Sequence, residues 1–147
     1  MPLFNIGFVS FPDLTQLDFT GPLQVLSRLP QSATHIVAKS EAPVPSDCGL
    51  SLVPTHTFVN CPPLDLIYVP GGNLGVVDAF CDRETIELVR SRASTAKYVT
   101  SVCTGAIILG VAGLLKGRRQ RRIGLLLICC RSSGPRTRRP GSSRTAT

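Results

Sequence analysis

Cys103 is the strongest candidate for a reactive residue in this sequence. It lies in the segment Thr100–Ala106, between an apolar run that predicts a strand over Tyr98–Val102 and a helical pattern from about Thr104. A strand that turns at once into a helix, with small residues around the turn, can hold a nucleophile on a sharp elbow. A thiol at a helix start also lies near unpaired backbone N–H groups and the positive end of the dipole, which favours the thiolate. The alternative is a cysteine buried as a small hydrophobe, and the elbow makes the nucleophile the better interpretation.

A pair of glycines could supply backbone donors next to this cysteine. Gly71 and Gly72 follow Pro70 at the end of the predicted strand Leu64–Val69. Glycine allows a ligand to approach the backbone closely, and two N–H groups at a strand end can form an oxyanion hole. A Pro-Gly-Gly segment alone is most often a turn. This segment lies one crossover before the cysteine elbow, and that position favours a functional role over a simple turn.

Asp18 is the candidate for proton transfer. It stands between Leu17 and Phe19, so poor solvation should raise its pKa and suit it to general acid–base work. An equally good interpretation from the residues alone makes it an extra cap near the predicted helix start at Thr20. Asp13, after Phe-Pro, is expected to be a turn or cap residue.

The histidines and the other cysteines give no second site. His56 lies in a polar extended stretch and is expected to be solvated, so a Cys/His dyad with His56 or His35 is not expected and a protease is disfavoured. Cys48, Cys61 and Cys81 are expected to be free thiols buried as small hydrophobes. The cysteine spacing predicts no metal site, and no glycine-rich nucleotide fingerprint is present.

The elements that must position these residues alternate between strand and helix. Short, nearly continuous apolar runs predict strands at Leu3–Ser10, Thr34–Ala38, Leu64–Val69 and Tyr98–Val102. Helical patterns begin at Thr20, with Pro22 in the first turn, at Asp82 as a cap, and at about Thr104. Pro43–Pro54 is expected to be a turn or a short edge hairpin. The pattern predicts a doubly wound α/β fold, with a mainly parallel sheet, helices on both faces and ligands at the carboxyl ends of the strands.

Composition divides the chain near residue 117. The 147 residues suit one domain, with no apolar run of transmembrane length and no secretory leader, so we expect a cytoplasmic protein with no membrane partner. Residues 1–116 hold seven basic and nine acidic side chains, a net charge of −2. From 117 to 147 there are nine arginines and no acid.

Four motifs together resemble the ThiJ/PfpI superfamily, within the class I glutamine amidotransferase-like proteins, and the isonitrile hydratases within it most of all. The motifs are Phe11-Pro12, Thr15–Leu26, Val69–Gly72 and Thr100–Ala106. The resemblance runs from about Leu3 to Gly117, so residues 1–117 are interpreted as the N-terminal part of a ThiJ/PfpI-type domain, with a flavodoxin-like fold that is incomplete at the C-terminus.

The resemblance implies roles for the candidate residues. It makes Cys103 the nucleophile, Asp18 the acid that hydrogen-bonds the thiol, and the backbone N–H groups of Gly72 and Thr104 the groups that face the substrate, next to Gly71. It implies no metal or organic cofactor, a small-molecule substrate and, in the full-length family form, a homodimer. Peptidase relatives carry His after the cysteine, where this chain has Thr104, and chaperone and deglycase relatives carry Glu at the position of Asp18.

The function implied is that of a lyase which hydrates an isonitrile to an N-substituted formamide through a Cys103 thioimidate. Two alternatives stay open. One is the ligand-sensing domain of an AraC-type transcriptional regulator, and the other is a cysteine-based sensor of oxidative stress.

Residues 118–147 are interpreted as an Arg-rich tail foreign to the family and are predicted to be disordered. They could be a basic arm that binds nucleic acid. A frameshift is the favoured explanation, because related domains continue with Thr-x-His-Trp and codons for residues 120–124 can give that motif in another frame. We therefore expect no nucleic-acid partner, an open sheet edge and a destabilised or inactive product.

Overall fold

A computed structural model of the protein describes residues 2–117, 120–123 and 126–130, the last two segments as backbone only. The strands are β1 (Phe4–Val9), β2 (Ser32–Ala38), β3 (Val44–Pro45), β4 (Ser51–Leu52), β5 (His56–Thr57), β6 (Leu66–Val69), β7 (Tyr98–Val102), β8 (Gln120–Ile123) and β9 (Leu126–Cys130). The helices are α1 (Gln16–Leu26), α2 (Leu74–Cys81), α3 (Arg83–Thr95) and α4 (Gly105–Val111). None of the helices in this described part is long and apolar enough to cross a membrane.

The central sheet has the order β5-β2-β1-β6-β7-β9-β8. Every pairing from β5 to β7 is parallel, while β9 pairs antiparallel with both β7 and β8. Strand β6 is buried throughout Ile67–Val69, as expected for a parallel strand covered on both faces. The predicted α/β class with a mainly parallel sheet is confirmed.

The direction of the chain reverses between β1 and β6. From β1 the chain crosses through α1 to β2 on one side, whereas from β6 it crosses through α2 and α3 to β7 on the other. Right-handed crossovers in opposite directions place α1 and α3 on opposite faces of the sheet. Ligands of such folds bind at the carboxyl ends of the strands beside this reversal, so a ligand site is expected at the ends of β1, β6 and β7.

An aromatic cluster fixes α1 on its face of the sheet. Phe19 of α1 lies 5.6 Å from Phe8 of β1, which lies 5.1 Å from Tyr68 of β6, between ring centroids. Phe8 and Phe19 are fully buried, and each contributes about 1.5–3 kcal/mol of apolar burial. The residue next to Phe19 is Asp18, so this packing also sets the place of the acid.

Several expectations from the sequence are confirmed, but the predicted start of α1 is wrong. Asp82 caps α3, accepting a hydrogen bond from the Thr85 N–H at 3.1 Å. The segment from 43 to 54 forms the antiparallel hairpin β3–β4. Helix α1 begins at Gln16, one turn before the predicted cap Thr20, so Pro22 lies inside the helix. Helix α2 was not predicted.

The segment after residue 117 also differs from expectation. Disorder is predicted over 118–147, yet residues 120–123 and 126–130 form two strands. Strand β9 pairs with all of Tyr98–Val102, so the edge of β7, expected to be open, is paired. Residues 118–119, 124–125 and 131–147 lie outside the described residues, and the prediction for them stays a prediction.

Candidate active site

The cysteine elbow lies at the carboxyl end of β7. Cys103 has a φ of 51°, which is in the left-handed region that costs a non-glycine residue free energy. Thr104 is the N-cap of α4 and Gly105 its first residue. A Cβ atom at position 105 would lie 2.6 Å from the carbonyl oxygen of Val69, so only glycine lets the elbow approach β6 this closely. The Cys103 side chain is half-buried and its thiol is free.

Asp18 and Cys103 meet at Gly71. A Cβ atom added to Gly71 would lie 2.6 Å from Asp18 Oδ2, 2.7 Å from Cys103 Cβ and 3.2 Å from Cys103 Sγ. The carboxyl and the thiol therefore converge on the face of one glycine, which has no side chain to separate them. The sequence placed the three residues at the ends of different strands, and the fold brings them together.

The Asp18 carboxyl is poorly solvated, as its apolar neighbours in the sequence suggested. Burial raises the pKa of Asp18, while the Gly71 N–H and the Cys103 thiol oppose the rise and the negative charge of Asp47 adds to it. The Oδ2 atom of this carboxyl is buried and has no hydrogen-bond partner among the described residues. Such a carboxyl holds a proton more readily than an exposed one, which suits an acid.

Tyr68 anchors Asp18 through its backbone. Proline lacks an N–H, so Pro22 leaves the carbonyl four residues earlier, that of Asp18, without its helical donor. The Tyr68 hydroxyl donates to that carbonyl at 2.6 Å. Burial, followed by the negative charges of Asp18 and Cys103, raises the pKa of Tyr68, so the hydroxyl stays a donor. Sequence reasoning missed Tyr68, although a proline four residues after an acid is a visible signal that an outside donor is needed.

Thr104 joins the elbow to the glycine pair. Its hydroxyl donates to the Gly72 carbonyl at 2.7 Å, and its Oγ1 lies 3.1 Å from the Gly72 N–H as an acceptor. The Gly72 N–H, expected to face substrate, is thus bonded to Thr104 in this structure. A Cβ atom at Gly72 would lie 3.0 Å from the Asp13 carbonyl oxygen, so this loop too is tightly packed.

The remaining candidates lie elsewhere. His35 and His56 contact each other at the β2–β5 edge, with ring centroids 4.7 Å apart. Two strands, β1 and β6, separate β2 from β7, a distance of about 14 Å across the sheet. His56 is half-buried rather than solvated, because His35 covers its ring. Asp13 is an exposed turn residue with a φ of 63°.

The other described cysteines do not join Cys103. Cys61 is buried, and burial raises the pKa of its thiol. Cys48 and Cys81 are exposed, so the expectation that both are buried is wrong. Cys48 lies in the turn of the β3–β4 hairpin and Cys81 ends α2, and neither position faces the core. Over the described side chains, no cluster of three His, Cys, Asp or Glu could hold a metal ion.

Comparison with known proteins identifies relatives of this chain. A model of the DJ-1/PfpI family matches residues 5–120. An isonitrile hydratase of Pseudomonas putida is 54% identical over 115 residues, which cover 78% of this chain and 50% of that protein. An HTH-type transcriptional regulator of Mycobacterium tuberculosis is 40% identical over 74 residues, which cover 50% of this chain and 27% of the regulator.

A solved structure of a protein from the same family is similar to this fold. The crystal structure of a ThiJ/PfpI family protein from Pseudomonas syringae superposes with a TM-score of 0.77 at 45% identity, covering 80% of this chain and 49% of that one. The chain therefore spans about half the length of the isonitrile hydratase and of this solved relative.

Proposed function

This chain belongs to the DJ-1/PfpI family, and from that premise we propose that it carries the reacting groups of an isonitrile hydratase-like lyase. The observation that supports this most is the meeting of the Asp18 carboxyl and the Cys103 thiol at Gly71. The 54% identity to the isonitrile hydratase of Pseudomonas putida supports the choice of substrate class.

The first proposed step adds Cys103 to the isonitrile. The sulfur forms a bond to the terminal carbon of R–N≡C, and one proton shared by the thiol–carboxyl pair passes through Asp18 to that carbon. The product is a thioimidate, R–N=CH–S–Cys103. A carboxyl that burial inclines toward its protonated form suits this delivery, and the short path past Gly71 leaves room for it.

The second proposed step hydrolyses the thioimidate. Asp18, now a carboxylate, accepts a proton from water as the water oxygen attacks the same carbon. Asp18 then passes this proton to the nitrogen. The C–S bond breaks as the carbonyl forms, the hydroxyl proton returns to the thiol–carboxyl pair, and R–NH–CHO leaves. The sum is one isonitrile and one water to one formamide, with no electron acceptor and no metal or organic cofactor required.

Thr104 and the glycine pair are proposed to position the reacting carbon. The Thr104 hydroxyl holds the Gly72 loop against the elbow through two hydrogen bonds. Rotation of this hydroxyl away from Gly72 would free one backbone N–H at the carboxyl end of β6. Gly71 would line the approach to the sulfur, where a side chain would block it, and Gly72 would supply the freed N–H.

The proposal is tested by following formamide production from a simple alkyl isonitrile. Cys103→Ala should abolish turnover, since no other described thiol lies at Asp18. Cys81→Ser, which changes an exposed cysteine on α2, is the matched control and should turn over like the parent chain. Formamide production by the Cys103→Ala variant at the parent rate would end the proposal.

A ligand-sensing domain is the second candidate, favoured by the 40% identity to part of an HTH-type regulator. Such a domain would bind its small molecule without turning it over. Saturable binding that Cys103→Ala leaves unchanged, with no formamide formed, would favour it. Selective oxidation of Cys103 with no hydration would instead favour a stress sensor.

We also propose a homodimer in which α1 meets its copy. Leu17 and Val25 lie two turns apart on α1 and are 70% and 68% exposed, with Gly21 between them on the same side of the helix. Packing of α1 against its copy would cover both of these apolar side chains. Light scattering of the parent chain and of Leu17→Glu tests this, and a monomeric parent would contradict it.

For residues 118–147 we propose an origin outside the family, with no nucleic-acid partner. The family match extends to residue 120, near the change in composition at residue 117. The coding DNA around Gly117 decides between the explanations: a shifted frame that encodes Thr-x-His-Trp supports a frameshift, and its absence supports a basic arm.

A further inference from the structure

We propose that Asp47, in the turn of the β3–β4 hairpin, is a positioning residue that holds the first turn of α1 and, by its negative charge at this helix start, favours a proton on the acid of the site, Asp18. This inference rests on the proposed role of the Asp18–Cys103 pair. It concerns a residue that no sequence motif singled out, on an element outside the three strand ends that form the site.

The first support is the way α1 begins. Thr15 is the N-cap, but its side chain makes no capping hydrogen bond. The Asp47 Oδ1 atom takes that place, accepting a hydrogen bond from the Gln16 N–H at 3.0 Å. The cap comes from 31 residues further along the chain, so the helix start depends on the hairpin.

The second support is that the hairpin is fixed to the loop before α1. The Asp47 N–H donates to the Leu14 carbonyl at 3.0 Å, and the Asp13 N–H donates to the Pro45 carbonyl at 2.9 Å. Leu14 also forms a bridge to Gly72. The turn that carries Asp47 is therefore tied to the same loop that packs on the glycine pair of the site.

The third support is electrostatic. The positive end of α1 would favour the ionised form of Asp18, which lies in the first turn. The carboxylate of Asp47 occupies that end, and its charge acts together with burial to raise the pKa of Asp18. The other titratable groups that face Asp18 are Cys103 from the elbow and Tyr68 from β6, and neither is a cation.

Asp47→Asn separates the charge from the cap. The asparagine oxygen can still accept from Gln16, so the melting temperature should stay close to that of the parent. Without the negative charge, Asp18 should lose its proton at lower pH, and the alkaline limb of formamide production should move down by about 0.5 pH unit at low salt. Because Asp47 is exposed, high salt should shrink this difference. Asp47→Ala should show the same shift together with a lower melting temperature.

The control is Asp78→Asn, which makes the same charge change at an exposed position on α2. This control should leave the alkaline limb of formamide production at the pH found for the parent. If Asp47→Asn and Asp78→Asn give the same profile as the parent, the inference is overturned. If Asp47→Asn lowers the melting temperature as much as Asp47→Ala without moving the limb, Asp47 is a structural cap only and the inference is likewise overturned.

A second measurement separates this inference from the proposed function. The titration of the Asp18 carboxyl, followed by carbon NMR of the full chain with isotope-labelled aspartate and assigned with Asp18→Asn, reports this acid without any isonitrile. Its pH midpoint should fall by about 0.5 unit in Asp47→Asn and stay fixed in Asp78→Asn. A shifted midpoint in a chain that makes no formamide would refute the lyase and keep the role of Asp47. An unshifted midpoint would refute that role whether or not formamide forms.

Discussion

Asp18 and Asp82 are two acids at the starts of two helices, and the fold gives them opposite properties. Asp82 caps α3, where burial alone would raise its pKa, but hydrogen bonds from Lys39 and Thr85 outweigh burial and leave the pKa below its usual range. Asp18 lies in the first turn of α1, where burial dominates and the pKa is raised. The same residue type is a stabilising cap in one region and the proposed proton carrier in the other.

The difference lies in the partners that each carboxyl meets. Asp82 accepts from the Thr85 N–H and hydroxyl and forms an ion pair with Lys39 at 2.9 Å. Asp18 Oδ2 has no hydrogen-bond partner among the described residues, and its charged neighbour, Asp47, has the same sign. A carboxyl with a buried, unpartnered oxygen stabilises the fold less than a fully bonded one, and a perturbed carboxyl of this kind is typical of reactive sites.

The largest expected effect that distinguishes the two acids is on turnover. Asp18→Asn should lower formamide production by about 10²–10⁴-fold, because it removes the group proposed to pass the proton. Asp82→Asn, the same change at the other helix, should leave turnover within about twofold, since Asn is also a good cap. Steady-state rates on one isonitrile measure both. Equal losses of turnover in the two variants would contradict a special role of Asp18 in the reaction.

Tyr68→Phe tests how Asp18 is held. The variant keeps the ring in the aromatic cluster and leaves the Asp18 carbonyl without a donor, which should cost about 1–3 kcal/mol of unfolding free energy. Turnover should fall by about tenfold as the first turn of α1 loosens. Urea unfolding and steady-state kinetics measure these changes. Unaltered stability would mean that the Asp18 carbonyl finds another donor, and the anchoring role would be lost.

Asp82→Ala tests the structural acid. Loss of the cap should cost about 1 kcal/mol of unfolding free energy with no effect on the pH midpoint of the Asp18 titration. The exposed Lys39 pair should add little to this, because solvent screens it. Denaturation by urea gives the difference from the parent. A change in that midpoint would show that α3 and the site are coupled, contrary to this account.

The smallest expected effect is on the pH dependence of stability, where the two acids should act with opposite sign. The depressed pKa of Asp82 stabilises the fold above the ordinary carboxyl range, and this contribution is lost as pH falls through about 4 and below. The raised pKa of Asp18 does the reverse, since its ionisation in the fold is costly at neutral pH. Asp18→Asn should therefore be slightly more stable than the parent at pH 7, by less than about 1 kcal/mol, with the gain shrinking toward pH 4.

Melting curves of the parent, Asp18→Asn and Asp82→Ala between pH 4 and 7 give both signs in one experiment. If the gain in stability of Asp18→Asn over the parent grows as pH falls, the pKa of Asp18 is not raised in the fold.

Local patterns predicted most of the elements. Continuous apolar runs gave β1, β2, β6 and β7 to within a few residues, and capping chemistry gave the start of α3 at Asp82. The start of α1 was misplaced because the Thr20 and Pro22 pattern suits a helix start, whereas the real cap is Asp47 from the hairpin. The strands over 120–123 and 126–130 were missed because arginine-rich composition predicts disorder.

The sequence by itself determined four parallel strands and the helices α3 and α4, the elbow at Cys103 and the residues Asp18, Gly71 and Gly72 as candidates, because these depend on neighbours along the chain. Only the tertiary structure decided that Asp18 meets Cys103 at Gly71, that Tyr68 replaces the donor missing at Pro22 and that Thr104 bonds Gly72. Solvation and hydrogen-bond partners are set by residues distant in sequence, and they are what separate Asp18 from Asp82.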